Sequence, residues 1–156
     1  MRFRKLTLDE LKELHEEFIQ FLSSNTITGD DWGKIKEDDY DKTDKLIDIF
    51  SDIVLEKSLV NIRFLEKREP KNLLLFHCKE KEIDLVGLSV SEGSSIDFTN
   101  SEHLEALSKS EISVKINTFK TSKAYSENRE DEVYKMLNDG CLITDEKLFK
   151  ALFTLS

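Results

Sequence analysis

Hydrophobic and polar positions alternate with two different rhythms along this chain. Leu11, Leu14, Phe18, Phe21 and Leu22 recur at helical spacing between Glu13, Glu16, Glu17 and Gln20, which predicts a helix over 8–23. Thr7 and Glu10 form the pattern of a capping box at its start, with Leu6 and Leu11 as the flanking staple. Thr28 with Asp31 repeats the box, with Ile27 and Trp32 as staple, and predicts a short helix over 29–37. A third helix is predicted over 42–57. Its apolar residues Leu46, Ile47, Ile49, Phe50, Ile53 and Val54 span an arc of about 160°, wider than a surface helix needs. That width predicts a helix at the centre of the core.

The rhythm then shortens from 3.6 to 2. Val60, Ile62 and Phe64 alternate with Asn61, Arg63 and Leu65, Leu73 to Phe76 is a short apolar run, and Ile83 to Val90 is a third strand-like stretch. Short runs joined by polar turns predict an antiparallel meander, with Pro70 between strands where it costs no ladder bond. Thr99 with Glu102 predicts a cap for a brief helix through Leu107, and Ile112, Val114 and Ile116 predict a fourth strand. Polar residues over 120–128 predict a connector. A helix over 129–139 follows, closed by Gly140 as a left-handed cap, and Ile143 and Thr144 are expected to open a last helix. The whole predicts one α+β domain over 1–156: N-terminal helices (1–58) packed on an antiparallel sheet of three to four strands (59–119), then the connector and a C-terminal helix pair (129–156).

Composition narrows the function. The 156 residues, 38% hydrophobic and 35% charged, suffice to bury roughly 70% of the unfolded surface without a metal or disulfide. A net charge of −9 argues against binding through nucleic-acid phosphates or anionic membranes. The one concentration of basic residues, Arg63, Lys67, Arg68 and Lys71, is interleaved with Glu66 and Glu69 and reads as a solvated hairpin, with nucleic-acid binding as its weaker alternative. No apolar run reaches membrane-spanning length, and the N-terminus has no apolar signal core. Two cysteines, Cys78 and Cys141, fit free thiols of a reducing cytoplasm.

Candidate chemistry is sparse. The five glycines form no phosphate-binding loop, and there is neither a C-x-x-C nor an H-x-x-x-H pair to hold zinc. The acidic stretch around Asp39 lacks the glycine and glutamate of a calcium loop. No cofactor is expected. His15 and His103 sit in helices with nothing to mark them as ligands. His77 and Cys78 are adjacent in a strand and so face opposite sides, which prevents them from acting as a pair. An enzyme would need His77, Cys78 or Cys141 joined by distant carboxylates in a deep pocket. The leading expectation is a non-catalytic protein-binding or regulatory module, self-association included. Its candidate contact is Asp30, Asp31 and Trp32, where the single tryptophan stands beside two acids at a helix start.

Three stretches read together resemble a family of small, single-domain bacterial proteins of unknown function: LTLDELKELHEEFIQFLSSNTITGDDW (6–32), IFSDIVLEK (49–57) and REDEVYKMLNDGCLITDEKLFKAL (129–152). The resemblance implies a bacterial cytoplasmic setting and assigns no residue a role. A histidyl-tRNA synthetase likeness sometimes attached to such proteins finds no support, because the chain is too short for a synthetase core and lacks an ATP-binding arginine motif.

Overall fold

A computed structural model of the chain describes residues 2–109 and 115–155. The fold is α+β, with seven helices and a five-stranded antiparallel sheet among the described residues. The chain divides into two compact units, residues 1–58 and 59–156.

The first unit is helical: α1 (Leu8–Glu13), α2 (His15–Ser24), α3 (Gly29–Asp38) and most of α4 (Tyr40–Asn61). Both predicted capping boxes form. Thr7 Oγ1 accepts from the Glu10 amide at 3.2 Å while Glu10 returns to the Thr7 amide at 2.9 Å, and Thr28 and Asp31 do the same at 3.1 Å each way. The single helix expected over 8–23 is interrupted at Leu14, whose φ of −100° and ψ of 25° leave the helical region; no glycine or proline marks the break. At the C-terminus of α2, Ile27 donates to the Leu22 carbonyl and Thr26 to that of Ser23, with Thr26 at φ 58°. This is a Schellman motif with a β-branched residue at its left-handed position. Inside the unit, Phe18 meets Phe50 at 5.0 Å and Trp32 at 5.1 Å, both edge-on. Ser51, fully buried, donates to Ile47 and accepts the Leu6 amide.

The second unit carries the sheet: β1 (Phe64–Arg68), β2 (Asn72–Cys78), β3 (Glu82–Ser89), β4 (Asn117–Ala124) and β5 (Leu142–Thr144), in the spatial order β4-β3-β2-β1-β5. The meander β1-β2-β3 is as predicted, and five strands replace the expected three to four. α5 (Ser101–Ser108), α6 (Arg129–Asn138) and α7 (Glu146–Leu155) complete the unit. Phe64, Leu75, Val86 and Leu88 form one apolar face with Phe98, Leu104 and Leu107, against which Phe149 and Leu152 of α7 pack.

Several expectations are corrected. Helix α4 continues through Asn61, so Val60 and Asn61 are helical and the strand opens only at Phe64. The reason is tertiary: Arg129 donates to the carbonyls of Leu59 and Ile62 and so caps the last turn. Of the strand expected at Ile112, Val114 and Ile116, the first two positions lie outside the described residues and Ile116 precedes the strand; β4 occupies 117–124, most of the supposed connector. All eight of its residues are exposed, so no buried face stamps a period of two on the sequence. Asn100, not Thr99, caps α5 by accepting the Glu102 and His103 amides. Leu142 to Thr144 pair with β1 as a strand, and Asp145 accepts the Lys147 amide at the start of α7. The C-terminal helices are therefore separated by a sheet edge.

Candidate functional site

The excess apolar width of α4 does not end in burial. Phe50 is 3% exposed, but Ile49 is 51% and Ile53 39% exposed. With Leu14, Phe21 and Val54 they line a groove of about 740 Å³ between α2 and α4, rimmed by Glu17, Gln20, Lys57 and Ser58. The floor is built by helical periodicity. Phe21 comes three residues after Phe18, and its ring lies 5.5 Å from that of Phe50, which turns both helices' apolar stripes toward one another. Half-exposed isoleucines on one wall mean the stripe of α4 is broader than its neighbours cover. Unit 1 carries nine Lys and Arg against fifteen Asp and Glu, a net −6 of the chain's −9. The groove is thus an apolar slot with a charge-balanced rim, Glu17 and Lys57, on a unit that is acidic as a whole.

Asp30, Asp31 and Trp32 lie at the start of α3. Asp31 is committed to its cap, and the Thr28 backbone and side-chain hydrogen bonds hold its carboxyl below the ordinary range. Trp32 is half-buried on Phe18, with the Lys36 ammonium 5.8 Å from its ring. Asp30 is exposed. A second cleft beside them, about 570 Å³, is lined by Thr26, Ile27, Asp31, Lys34 and Lys42 among others.

The reactive candidates are placed in unit 2. His77 stacks on Phe64 with 4.4 Å between ring centroids, and Phe149 meets it edge-on at 5.6 Å. Burial pushes its pKa down, only partly offset by Asp84, its register partner on β3. Cys78 faces the opposite side of the sheet, 1% exposed. Burial pushes its thiol up to about 11, against a smaller pull from Arg129, and Cys141 is raised for the same reason. Both thiols are free. A nucleophilic cysteine needs the reverse, a depressed pKa and access. Among the described residues no group of three or more His, Cys, Asp or Glu side chains is placed to hold a metal ion. No helix among them is long and apolar enough to cross a membrane. His103 Nδ1 accepts the Asp97 amide at 2.9 Å and serves the turn before α5.

Beside Cys78 is the residue that sequence reasoning missed. The side chain of Arg129, 12% exposed, donates from Nε to the Lys79 carbonyl, from one terminal nitrogen to Leu59 and from the other to Cys78 and Ile62. Tyr125 adds its hydroxyl to the Lys79 carbonyl at 2.5 Å. These carbonyls end α4 and β2, where ladder and helix partners run out. A cleft of about 340 Å³ lined by Val60, Arg63, Cys78, Glu80, Arg129 and Glu130 opens here. Its half-buried cation, Arg129, is spent on these carbonyls and on Glu130 at 3.4 Å, so the arrangement is structural. Two residues of the basic hairpin are similarly committed: Arg68 pairs with the buried Glu66 at 2.8 Å, and Lys71 donates to the carbonyls of Ser94 and Ile96.

No curated protein and no solved structure matches the chain. A family profile does, over its whole length, residues 1–156, and by that match the chain belongs to the family of unknown function DUF6495.

Proposed function

We propose that the protein is a non-catalytic protein-binding module whose groove between α2 and α4 takes an amphipathic helix with a basic polar face. The observation that carries this reading is the exposure of Ile49 and Ile53 over a floor of Phe21 and Phe50. An apolar helix face seated there would gain the burial that the unit's own residues leave unfilled. The net −6 of unit 1 selects a basic polar face on the partner through complementarity that speeds encounter, while Glu17 and Lys57 on the rim offset one another. Asp30, beside Trp32, extends the acidic surface along α3. Two free, buried thiols fit a reducing compartment, and we place the protein in the bacterial cytoplasm. The raised thiol pKa values and the aromatic packing of His77 weigh against an enzyme.

The test uses a synthetic leucine–lysine amphipathic peptide of about 18 residues, five turns of helix, titrated into the ¹⁵N-labelled protein. Amide shifts are expected at Phe21, Ile49, Ile53 and Val54, with affinity lowered at least about tenfold, or 1.4 kcal/mol, in the Ile49→Asp/Ile53→Asp variant. A leucine–glutamate peptide of the same pattern should not bind. Shifts elsewhere, or equal binding by the variant, defeat the proposal.

A further inference from the structure

Strand β4 ends the sheet, and among the described residues it pairs with β3 alone. The direction of its backbone groups follows from its neighbours. Lys79 donates to the Glu82 carbonyl and Val90 to that of Lys71, both at 3.0 Å, so even-numbered residues of β3 turn their backbone groups toward β2 and odd-numbered ones toward β4. Phe119, Thr121 and Lys123, opposite Gly87, Leu85 and Ile83, therefore point N–H and C=O inward. Thr118, Lys120, Ser122 and Ala124 point theirs outward, a row of donors and acceptors on a fully exposed strand.

We propose that this edge pairs antiparallel with the same edge of a second copy, about a two-fold axis at Thr121, joining two five-stranded sheets into one of ten. An axis normal to the sheet keeps each face on its own side, so opposed residues must share a face, and only a few registers remain. Centring on Lys120 sets an ammonium against its own copy. Centring on Phe119 or Ser122 pairs only five of the eight strand residues. Centring on Thr121 pairs seven and opposes no like charges. Lys120 faces the copy's Ser122 and exchanges both backbone bonds with it. Phe119, 52% exposed, is set opposite the copy's Lys123; its ring lies over Gly87 of its own β3, and the Lys123 ammonium stays paired with Glu132 of its own chain at 3.1 Å. Thr121 meets its own copy in the closer, non-hydrogen-bonded geometry, with Cα atoms about 4.5 Å apart. This inference is independent of the groove: it uses only unit 2 and survives the failure of the helix-binding proposal.

The edge buries little apolar surface, so the dimer is weak, and the measurement is sedimentation equilibrium of the full chain over about 10 µM to 1 mM. The mass should climb from 18.1 kDa toward twice that value. Lys120→Pro removes an outward N–H that β3 does not use and should hold the protein at monomer mass with its circular dichroism unchanged. Thr121→Cys should form an intermolecular disulfide on mild oxidation, because its Cα separation lies in the bridgeable range. Lys120→Cys, offset from its own copy, should not. Monomer mass throughout, or cross-linking at 120 and not 121, overturns the proposal. So does a monomer whose edge binds an extended peptide in a Lys120-dependent way, which would assign the strand to another protein.

Discussion

Thr26 at the end of α2 stands at the same point of a Schellman motif as Gly140 at the end of α6. In both, the following residue donates back five positions, Ile27 to Leu22 and Cys141 to Met136, and both φ values are positive, 58° and 105°. Glycine takes this conformation without strain, whereas a β-branched side chain crowds its own backbone. The motif in unit 1 is thus built with a residue that opposes it.

Thr26→Gly should therefore stabilise the protein by about 1 kcal/mol, and Gly140→Ala should destabilise it by about as much. Urea midpoints decide the matter; a Thr26→Gly variant weaker than wild type would mean that the threonine side chain supplies something the backbone does not need.

Arg129 predicts a far larger loss. Arg129→Met leaves carbonyls of Leu59, Ile62, Cys78 and Lys79 without their shared donor, at a cost of about 3 kcal/mol or more. Arg129→Lys should recover less than half of that, since one ammonium does not reproduce the planar fork. Chemical denaturation of both variants measures it.

The start of α7 separates the sequence expectation from the observed cap. Asp145→Ala should cost about 1 kcal/mol, while Thr144→Ala, in β5 and making no cap, should cost about 0.5 kcal/mol or less. Equal losses would restore Thr144 as the capping residue.

His77 predicts an acid-side weakening. Its folded pKa is depressed below 6.5 by burial between aromatic rings, so as pH falls through 6.5 the unfolded chain takes up a proton before the folded one does. Unfolding then binds protons, and stability declines from above 6.5 down to the depressed folded value, below which both states are protonated and the loss is complete. Stability curves from pH 7.5 to 5 should be shallower in His77→Gln than in wild type. The carboxylates contribute lower down: Glu10, held to about 2 chiefly by Arg4 and then by the Thr7 amide, stabilises the fold above 4.5 and loses that effect as pH falls toward 2.

What the sequence made legible was local. Thr7 with Glu10, Thr28 with Asp31 and the Gly140 cap each close within a few residues, and all three formed. The last turn of α4 was hidden because its cap arrives from Arg129, about 70 positions away. Strand β4 was hidden because NTFKTSKA is exposed throughout, which erases alternation. The groove had a signal that pointed the wrong way: the broad stripe through Ile49 and Ile53 implied complete burial, while the helices beside it cover only part. Asp31 and Trp32 carried two readings in the sequence, cap and staple on the one hand and a partner contact on the other; Asp31 forms its cap with Thr28 and Trp32 packs on Phe18.

Cys78 and Cys141 are the chain's two cysteines, and both lie in the second unit with buried, protonated sulfur. An alkylating reagent added to the native protein must wait for that unit to open, so its labelling rate is a stopwatch on β2 and the turn before β5. Because the helical first unit has no sulfhydryl, its fraying leaves no trace on the record, and the two halves of the chain become separable in time with no probe engineered in.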